Sequence, residues 1–366
     1  MNNSDSKGLF TNAIMSYPLK RDLSHSSKDK FSYNATNGEL LNDGRYKIIT
    51  ALGSGGFSTV YLSRDLIENR YVAIKIVKNK KTYTMIAHDE IKILKTFDKH
   101  DNILKYYDNF IHKKHVCIVT EVVGIDLLQL IEIYDNRVPI NIINNIIKQV
   151  LKGLEYIHSC NIVHCDIKPE NILIGLTPEE IESLGHSVEN NITMPTQDDQ
   201  AFEERLINSN VKICDFGNSC FINNKYSGKI QTRQYRSYEV IIGYPFTFNA
   251  DIWSLGCVIF ELLTGDYLFE IYDDNYNDDF NHIYSITELL GEENIPDIKS
   301  DILSIYAYKF YNTSGKLYNV KKIKSWNLEA VLSQKYKLNV KELANLMMLM
   351  LNPNPNLRVS ASDCLS

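Results

Sequence analysis

The sequence predicts an α+β fold with a small β-rich N-terminal part and a larger helical C-terminal part. Three observations lead there. Short runs rich in β-branched and aromatic residues, separated by turn residues, fill the stretch from Tyr46 to Gly124. From Pro139 onward apolar residues recur at helical spacing, in Pro139 to Ser159 and again in Ala250 to Leu263. Between the two lies Ile162-Val163-His164-Cys165-Asp166-Ile167-Lys168-Pro169-Glu170-Asn171-Ile172-Leu173, a polar string bounded by apolar runs, which suits a rigid loop between a helix and a strand.

Composition narrows the function classes. The chain has 366 residues, 44% apolar and 23% charged, enough for one large bilobal domain or two domains each with its own core. A net charge of −6 disfavours non-specific nucleic-acid binding and leaves room for a basic protein partner. Seven cysteines (117, 160, 165, 214, 220, 257, 364) form no C-x-x-C pair, so reduced thiols in the cytoplasm or nucleus are expected. No apolar run approaches the roughly 18 residues of a membrane span, and the N-terminus lacks a charged-then-apolar signal. Neither membrane insertion nor secretion is expected.

Residues 1–44 are rich in Asn, Ser, Lys and Asp without periodicity, and are expected to be a disordered arm with a short ordered piece near Gly38-Glu39-Leu40-Leu41. Tyr46 to Leu52 reads as a strand. The glycine-rich turn Gly53-Ser54-Gly55-Gly56-Phe57-Ser58 then runs into a second strand through Val60. Glycines there let backbone approach a phosphate, although an ordinary glycine hairpin has the same pattern. The following element is a strand, which argues against a dinucleotide-binding turn. Tyr71 to Val77 is a third strand, with Lys75 inside an apolar run that includes Ala73. A lysine in a half-buried strand needs a partner, and Glu90, on a helix expected over 86–97, is the candidate. Val116 to Gly124 is a strand ending in a short linker, with Thr120 a small residue at its end. Asp126 is placed either to meet ribose hydroxyls or to cap the helix beginning near Leu127.

Ile143, Ile146, Ile147, Val150, Leu151, Leu154 and Ile157 form the core stripe of the long helix that delivers the chain to the polar loop. In that loop Asp166 offers a carboxylate to accept a substrate proton, Lys168 an ammonium for a phosphoryl group, and Asn171 an amide for Mg²⁺. Residues 176–210 break the pattern. Eight acids there face one base, Arg205, which reads as an inserted acidic spacer, helical in part and mostly mobile. Val211 to Gly217 returns as strand plus turn, with Asp215 at the strand end to hold Mg²⁺ and Phe216 to pack beneath it. Asp251 starts a helix that is apolar all round and therefore buried. Glu239 is expected to pair bidentately with Arg358. Residues 266–301 carry Asp266, Asp273, Asp274, Asp278, Asp279, Glu288, Glu292, Glu293, Asp297 and Asp301, by default a solvated acidic face. The chain stops soon after a last helix starts, so its C-terminal edge is expected to be cut short.

Taken together, Gly53, Gly55, Val72-Ala73-Ile74-Lys75, Glu90, Asp166, Lys168, Asn171, Asp215, Glu239, Asp251 and Arg358 resemble the ordered motifs of a eukaryotic protein kinase over roughly residues 46–366. Tyr235-Arg236 looks like the branch holding the cyclin-dependent, MAP, DYRK and CLK kinases. The strings His164-Cys165-Asp166-Ile167-Lys168-Pro169-Glu170-Asn171, Gly217-Asn218-Ser219-Cys220, Ile230-Gln231-Thr232-Arg233-Gln234-Tyr235-Arg236-Ser237 and Thr264-Gly265-Asp266-Tyr267-Leu268-Phe269-Glu270 are most similar to the SR-protein kinases (SRPK). The resemblance implies a bilobal kinase domain over 45–366, with an N-lobe of 45–122 and a C-lobe of 123–366. The 176–210 insert lies where the family carries its spacer.

It also implies roles. ATP would lie against Leu52, Gly53, Gly55, Phe57, Val60, Ala73, Thr120 and Leu173, with its adenine edge on Glu121 and Val123 and its ribose near Asp126. Lys75, held by Glu90, would orient the phosphates, and Asn171 and Asp215 would hold Mg²⁺. Asp166 would take the proton and Lys168 would neutralise charge. The implied substrate is serine in Arg-Ser-rich segments of splicing factors, docked on Asp266 and Glu288. Asn281 stands where the family has Asp, so the resemblance implies a groove either weaker or shifted toward Asp278 and Asp279. Cys165 replaces the Arg of H-R-D, so activity without activation-loop phosphorylation is expected. A CLK- or DYRK-like kinase and a non-catalytic scaffold are the rival readings. A monomer acting without nucleic acid or membrane is expected.

Overall fold

The computed structural model describes residues 30–190, 192, 199–223, 229–271, 278–296 and 306–366. The first 29 residues of the expected arm, and Asp198, Asp273, Asp274, Asp297 and Asp301, lie outside them. The chain divides into two compact units. The first comprises the residues up to Tyr134, Asn144–Gly153 and Pro169–Asn218; the second comprises Asp135–Ile143, Leu154–Lys168 and Ser219–Ser366. The boundary expected at 122/123 falls later, because the strand Val123–Asp126 pairs with Ile172–Gly175 inside the first unit.

The first unit is built on a six-stranded antiparallel sheet: β1 (Leu40–Leu41), β2 (Tyr46–Ser54), β3 (Ser58–Asp65), β4 (Arg70–Val77), β5 (Tyr106–His112) and β6 (His115–Thr120), in the order β1-β2-β3-β4-β6-β5. In β4 every residue except Arg70 and Lys75 is buried, which a β-branched run achieves by filling both sides of the sheet. One side holds Leu41, Tyr46, Ile48, Tyr61, Val72, Ile74, Ile76, Phe110, Cys117 and Val119 as a core. The arm expected over 1–44 is therefore too long. Leu41 is fully buried in that core, and Gly38 and Glu39 exchange backbone hydrogen bonds with Ile48 at 2.8 and 2.9 Å. The Glu90 helix, Lys81–Leu94, starts earlier than expected and buries Ala87, Glu90, Ile91, Ile93 and Leu94. A smaller antiparallel sheet joins Val211–Ile213, Ile172–Gly175 and Val123–Asp126.

The described part of the insert is not a mobile spacer. It forms the helices Pro178–Asn190 and Asp199–Ile207. Leu184 closes a second apolar cluster with Ile49, Leu62, Tyr71 and Val122, against which Ile181 and Val188 pack. The acids that suggested solvation are anchors instead. Glu182 bonds Arg64 at 3.2 Å, Glu189 accepts from the Tyr71 hydroxyl at 2.8 Å, and Glu180 takes Arg205 bidentately at 2.6 and 2.7 Å. Phe202 and Leu206 of the second insert helix are buried, so burial of apolar area as well as charge holds it down.

In the second unit the helix Asn249–Thr264 buries every residue from Ala250 to Thr264, as an all-round apolar helix must. A short ribbon pairs Ile162–Val163 with Cys220–Phe221. The helix Ile140–Ser159 contributes residues to both units. Among the described residues no helix is long and apolar enough to cross a membrane.

Candidate active site

The first unit contains a cavity of about 340 Å³. Leu52, Gly53, Gly55, Val60, Ala73 and Thr120 line it from the sheet and its glycine turn, Glu121, Val123 and Asp126 from the segment after β6, and Asn171, Leu173 and Asp215 from the smaller sheet and its turns. Lys75 enters from β4. Its Nζ donates to both Glu90 carboxylate oxygens at 2.8 and 2.9 Å and to Asp215 Oδ1 at 2.9 Å. Burial opposes the lysine's charge, but Asp215 and Glu90 overcome it and hold the ammonium well above its ordinary pKa. Asp215 sits at φ +59, directly before the 3₁₀ turn Phe216–Asn218. Phe216 is buried against Phe97, with ring centroids 4.9 Å apart. Asn171 closes the turn Pro169–Asn171, and its carbonyl accepts from Cys214 N at 2.9 Å.

Two details differ from the sequence reading. Phe57 does not line the cavity; it is 60% exposed and packs edge-on against Tyr83. The choice left open for Asp126 is settled for its geometry: its side chain caps the helix Leu127–Ile133 through Gln129 N at 2.9 Å, and the residue also lines the cavity. Gln129 completes this capping box by accepting from Asp126 N at 3.1 Å, and it lines the same cavity. The Asp-x-x-Gln spacing was a signal for it, unused.

The second unit holds Asp166 and Lys168. Lys168 Nζ lies 3.1 Å from Asp166 Oδ2, while the Thr232 hydroxyl and amide donate to Oδ1 at 2.7 and 3.2 Å. Burial pushes the Asp166 carboxyl up, but the Thr232 hydrogen bonds and the Lys168 charge outweigh it and hold the group below the usual carboxylate value. The loop backbone is fixed by Asp251, which is fully buried. It accepts from His164 N at 2.8 Å and Cys165 N at 2.9 Å, with His158 Nε2 3.0 Å away. Glu239 and Arg358 make the expected bidentate pair, both bonds 2.7 Å and both side chains buried. Thr232 was missed as a working residue: its place in a family-like string did not say which carboxylate its hydroxyl would meet.

The acids expected to dock substrate are partnered within the chain. Asp266 is exposed, accepts from the Tyr336 hydroxyl and lies 3.6 Å from Lys335. Glu288 is half-buried and hydrogen-bonded with Tyr284. Asp279 is taken by Lys229 and by Arg233 at 3.3 Å, and Asp278 lies 3.6 Å from Arg233.

Compared with known families, residues 46–366 match the protein kinase domain. The serine/threonine-protein kinase SRPK of Physarum polycephalum is 33% identical, over 87% of this chain and 84% of its own. Protein kinase dsk1 of Schizosaccharomyces pombe is 30% identical, over 86% and 78%. SRSF protein kinase 3 of Mus musculus is 28% identical, over 91% and 87%.

Proposed function

The chain belongs to the protein kinase family and, within it, to the SR-protein kinases, and on that premise we propose that it phosphorylates serine in Arg-Ser-rich segments of protein substrates. The observation that carries catalysis, as against a non-catalytic scaffold, is Lys75 bridging Glu90 and Asp215 at 2.8 and 2.9 Å. The Lys75–Glu90 pair is what phosphoryl transfer by a protein kinase needs in place, and Asp215 stands beside it, where it would hold Mg²⁺.

A protein kinase domain implies ATP as the phosphoryl donor. The residues fit it: the cavity has apolar walls at Leu52, Val60, Ala73 and Leu173 and a charged end at Lys75 and Asp215. Asn171 and Asp215 would hold Mg²⁺, whose charge offsets that of the phosphates when bound. Lys75 orients the phosphates. Asp166, kept ionised by Thr232 and Lys168, accepts the hydroxyl proton, and Lys168 balances charge on the transferred group. Positioning and electrostatics supply the rate.

Substrate choice rests on the relatives' names and on the acids of the second unit. An Arg-Ser repeat peptide, a Ser-Pro peptide and a basic-protein control separate the readings. Preference for the repeat supports the proposal, preference for Ser-Pro favours a CLK- or DYRK-like enzyme, and no turnover on any of them overturns catalysis. The same reading has the enzyme work as a monomer in the cytoplasm or nucleus, on protein, without activation-loop phosphorylation.

A further inference from the structure

Two thiols lie where phosphoryl transfer gives them no task. Cys165 precedes Asp166, and Cys220 begins the ribbon strand Cys220–Phe221. Their Sγ atoms are 3.6 Å apart. Register pairs Cys220 with Val163, and Cys165, two residues past the end of that strand at φ +66, turns its sulfur back toward Cys220. Both backbones are pinned. Cys165 N–H donates to Asp251 at 2.9 Å, and its carbonyl accepts from Gln231 N at 2.9 Å. Ser219 Oγ, one residue before Cys220, donates to the His164 carbonyl at 3.0 Å. The sulfur contact is therefore a property of anchored backbone on both sides.

We propose that Cys165 and Cys220 form a redox pair that closes to a disulfide when the protein meets a hydroperoxide and reopens with a thiol reductant, tying the residue before Asp166 to the ribbon strand. Both residues are buried, and Cys220, at 7% exposed against 0% for Cys165, is the one assigned the first reaction with peroxide. The Cys165 hydrogen bond lowers the Cys220 pKa against the pull of burial, which favours its thiolate. The thiolate attacks the peroxide; a sulfur–oxygen bond forms, the O–O bond breaks, and Cys220 sulfenic acid and one water result. Cys165 then attacks the sulfenic sulfur and expels a second water as the S–S bond forms. Two thiols lose two electrons and two protons, and hydrogen peroxide leaves as two waters. In a reducing compartment such a bond is transient.

The bond requires the sulfurs to close from 3.6 Å to about 2.0 Å. Cys165 cannot move without pulling on Asp251, Gln231 and the adjoining Asp166, which Thr232 holds in place. A displacement near 1 Å at a reacting group costs up to roughly a hundredfold in rate, so the oxidised enzyme is expected to lose about ten- to a hundredfold in kcat.

The test treats the full-length protein with hydrogen peroxide, blocks free thiols with N-ethylmaleimide and maps peptides by mass spectrometry. A linked pair containing Cys165 and Cys220, lost on dithiothreitol, is the expected result. Alkylation of both cysteines after peroxide overturns the pair. The activity arm rests on the kinase reading, whereas the mapping arm does not, so the two can fail separately. Cys220→Ser is expected to keep basal activity and resist inactivation. An equal loss in Cys220→Ser and wild type, or linkage with kcat unchanged, overturns the switch.

Discussion

Gly185 lies flat against the ring of Tyr71: a Cβ built on this glycine would stand 2.1–2.3 Å from three ring atoms. The same ring donates its hydroxyl to Glu189, one turn further along the insert helix, and carries the Arg64 guanidinium 4.2 Å from its centroid. Tyr71 belongs to β4, four residues before Lys75. The insert is thus fastened to the strand that carries Lys75. Gly185→Val must push the helix off the sheet. Overpacking of this kind costs about 1–3 kcal/mol, read as a fall of several degrees in Tm. Gly56→Ala, whose Cβ meets nothing within 4 Å, is the control expected to leave Tm unchanged. Equal melting of Gly185→Val and wild type would mean the insert does not pack there.

Asp166 sets a pH dependence. Its carboxyl is pushed up by burial yet held below the ordinary value by Thr232 and Lys168, so the base form persists on the acid side of the usual carboxylate range. Removing the hydroxyl in Thr232→Val takes away a lowering contribution and lifts the pKa. The acidic limb of the kcat profile should then move toward neutral pH, with activity near pH 7 less affected. Asp166→Asn should cost at least about a hundredfold in kcat while ATP affinity measured by calorimetry stays close to wild type. An acidic limb that does not move in Thr232→Val would show that Asp166 does not govern it.

What the sequence made legible follows from what burial forbids. Lys75 inside an apolar run, and Glu239 if buried, each demand a counter-charge, and Glu90 and Arg358 supply them. Thr232 and Gln129 escaped because a hydroxyl or an amide in a polar string has many acceptable partners. Phe57 was taken as a wall of the cavity because its motif places it near a nucleotide, yet it rests on Tyr83. The insert was misread because acid content outweighed spacing. Ile181, Leu184 and Val188 make an apolar helical stripe, and Glu182, Gly185 and Glu189 share a face. Nothing local says that Arg64 and Tyr71 wait opposite, or that Lys47 lies 3.6 Å from Glu189.

Arg358 and Glu239 are both buried, and the guanidinium also donates to the carbonyls of Asn352 and Asn249 at 2.8 Å. Arg358→Met leaves the Glu239 carboxylate buried without its partner, a change that costs about 3–5 kcal/mol. The double variant Glu239→Gln with Arg358→Met removes that stranded charge and should recover part of the loss in urea melts. A double variant as unstable as the sum of the two singles would show that the pair does not act as a unit.

If the proposed docking of an arginine-rich peptide holds, Asp266 and Asp279 should contribute unequally. Asp266 is exposed, accepts from the Tyr336 hydroxyl through one oxygen and has its nearest cation, Lys335, at 3.6 Å, so an arginine-rich peptide can reach its other oxygen from solvent. Asp279 is closed in by Lys229 and Arg233, which a peptide would have to displace. Charge reversal in Asp266→Lys should therefore raise KM for an Arg-Ser peptide about three- to tenfold at low salt, with the difference shrinking as salt rises and Tm unchanged. Asp279→Asn should move the same KM less, because its charge is already balanced within the chain. Glu288→Lys should raise the same KM less, because Glu288 is half-buried and hydrogen-bonded with Tyr284. Equal losses on an Arg-Ser peptide and on a neutral peptide would place the defect in folding or in ATP handling and remove Asp266 from docking.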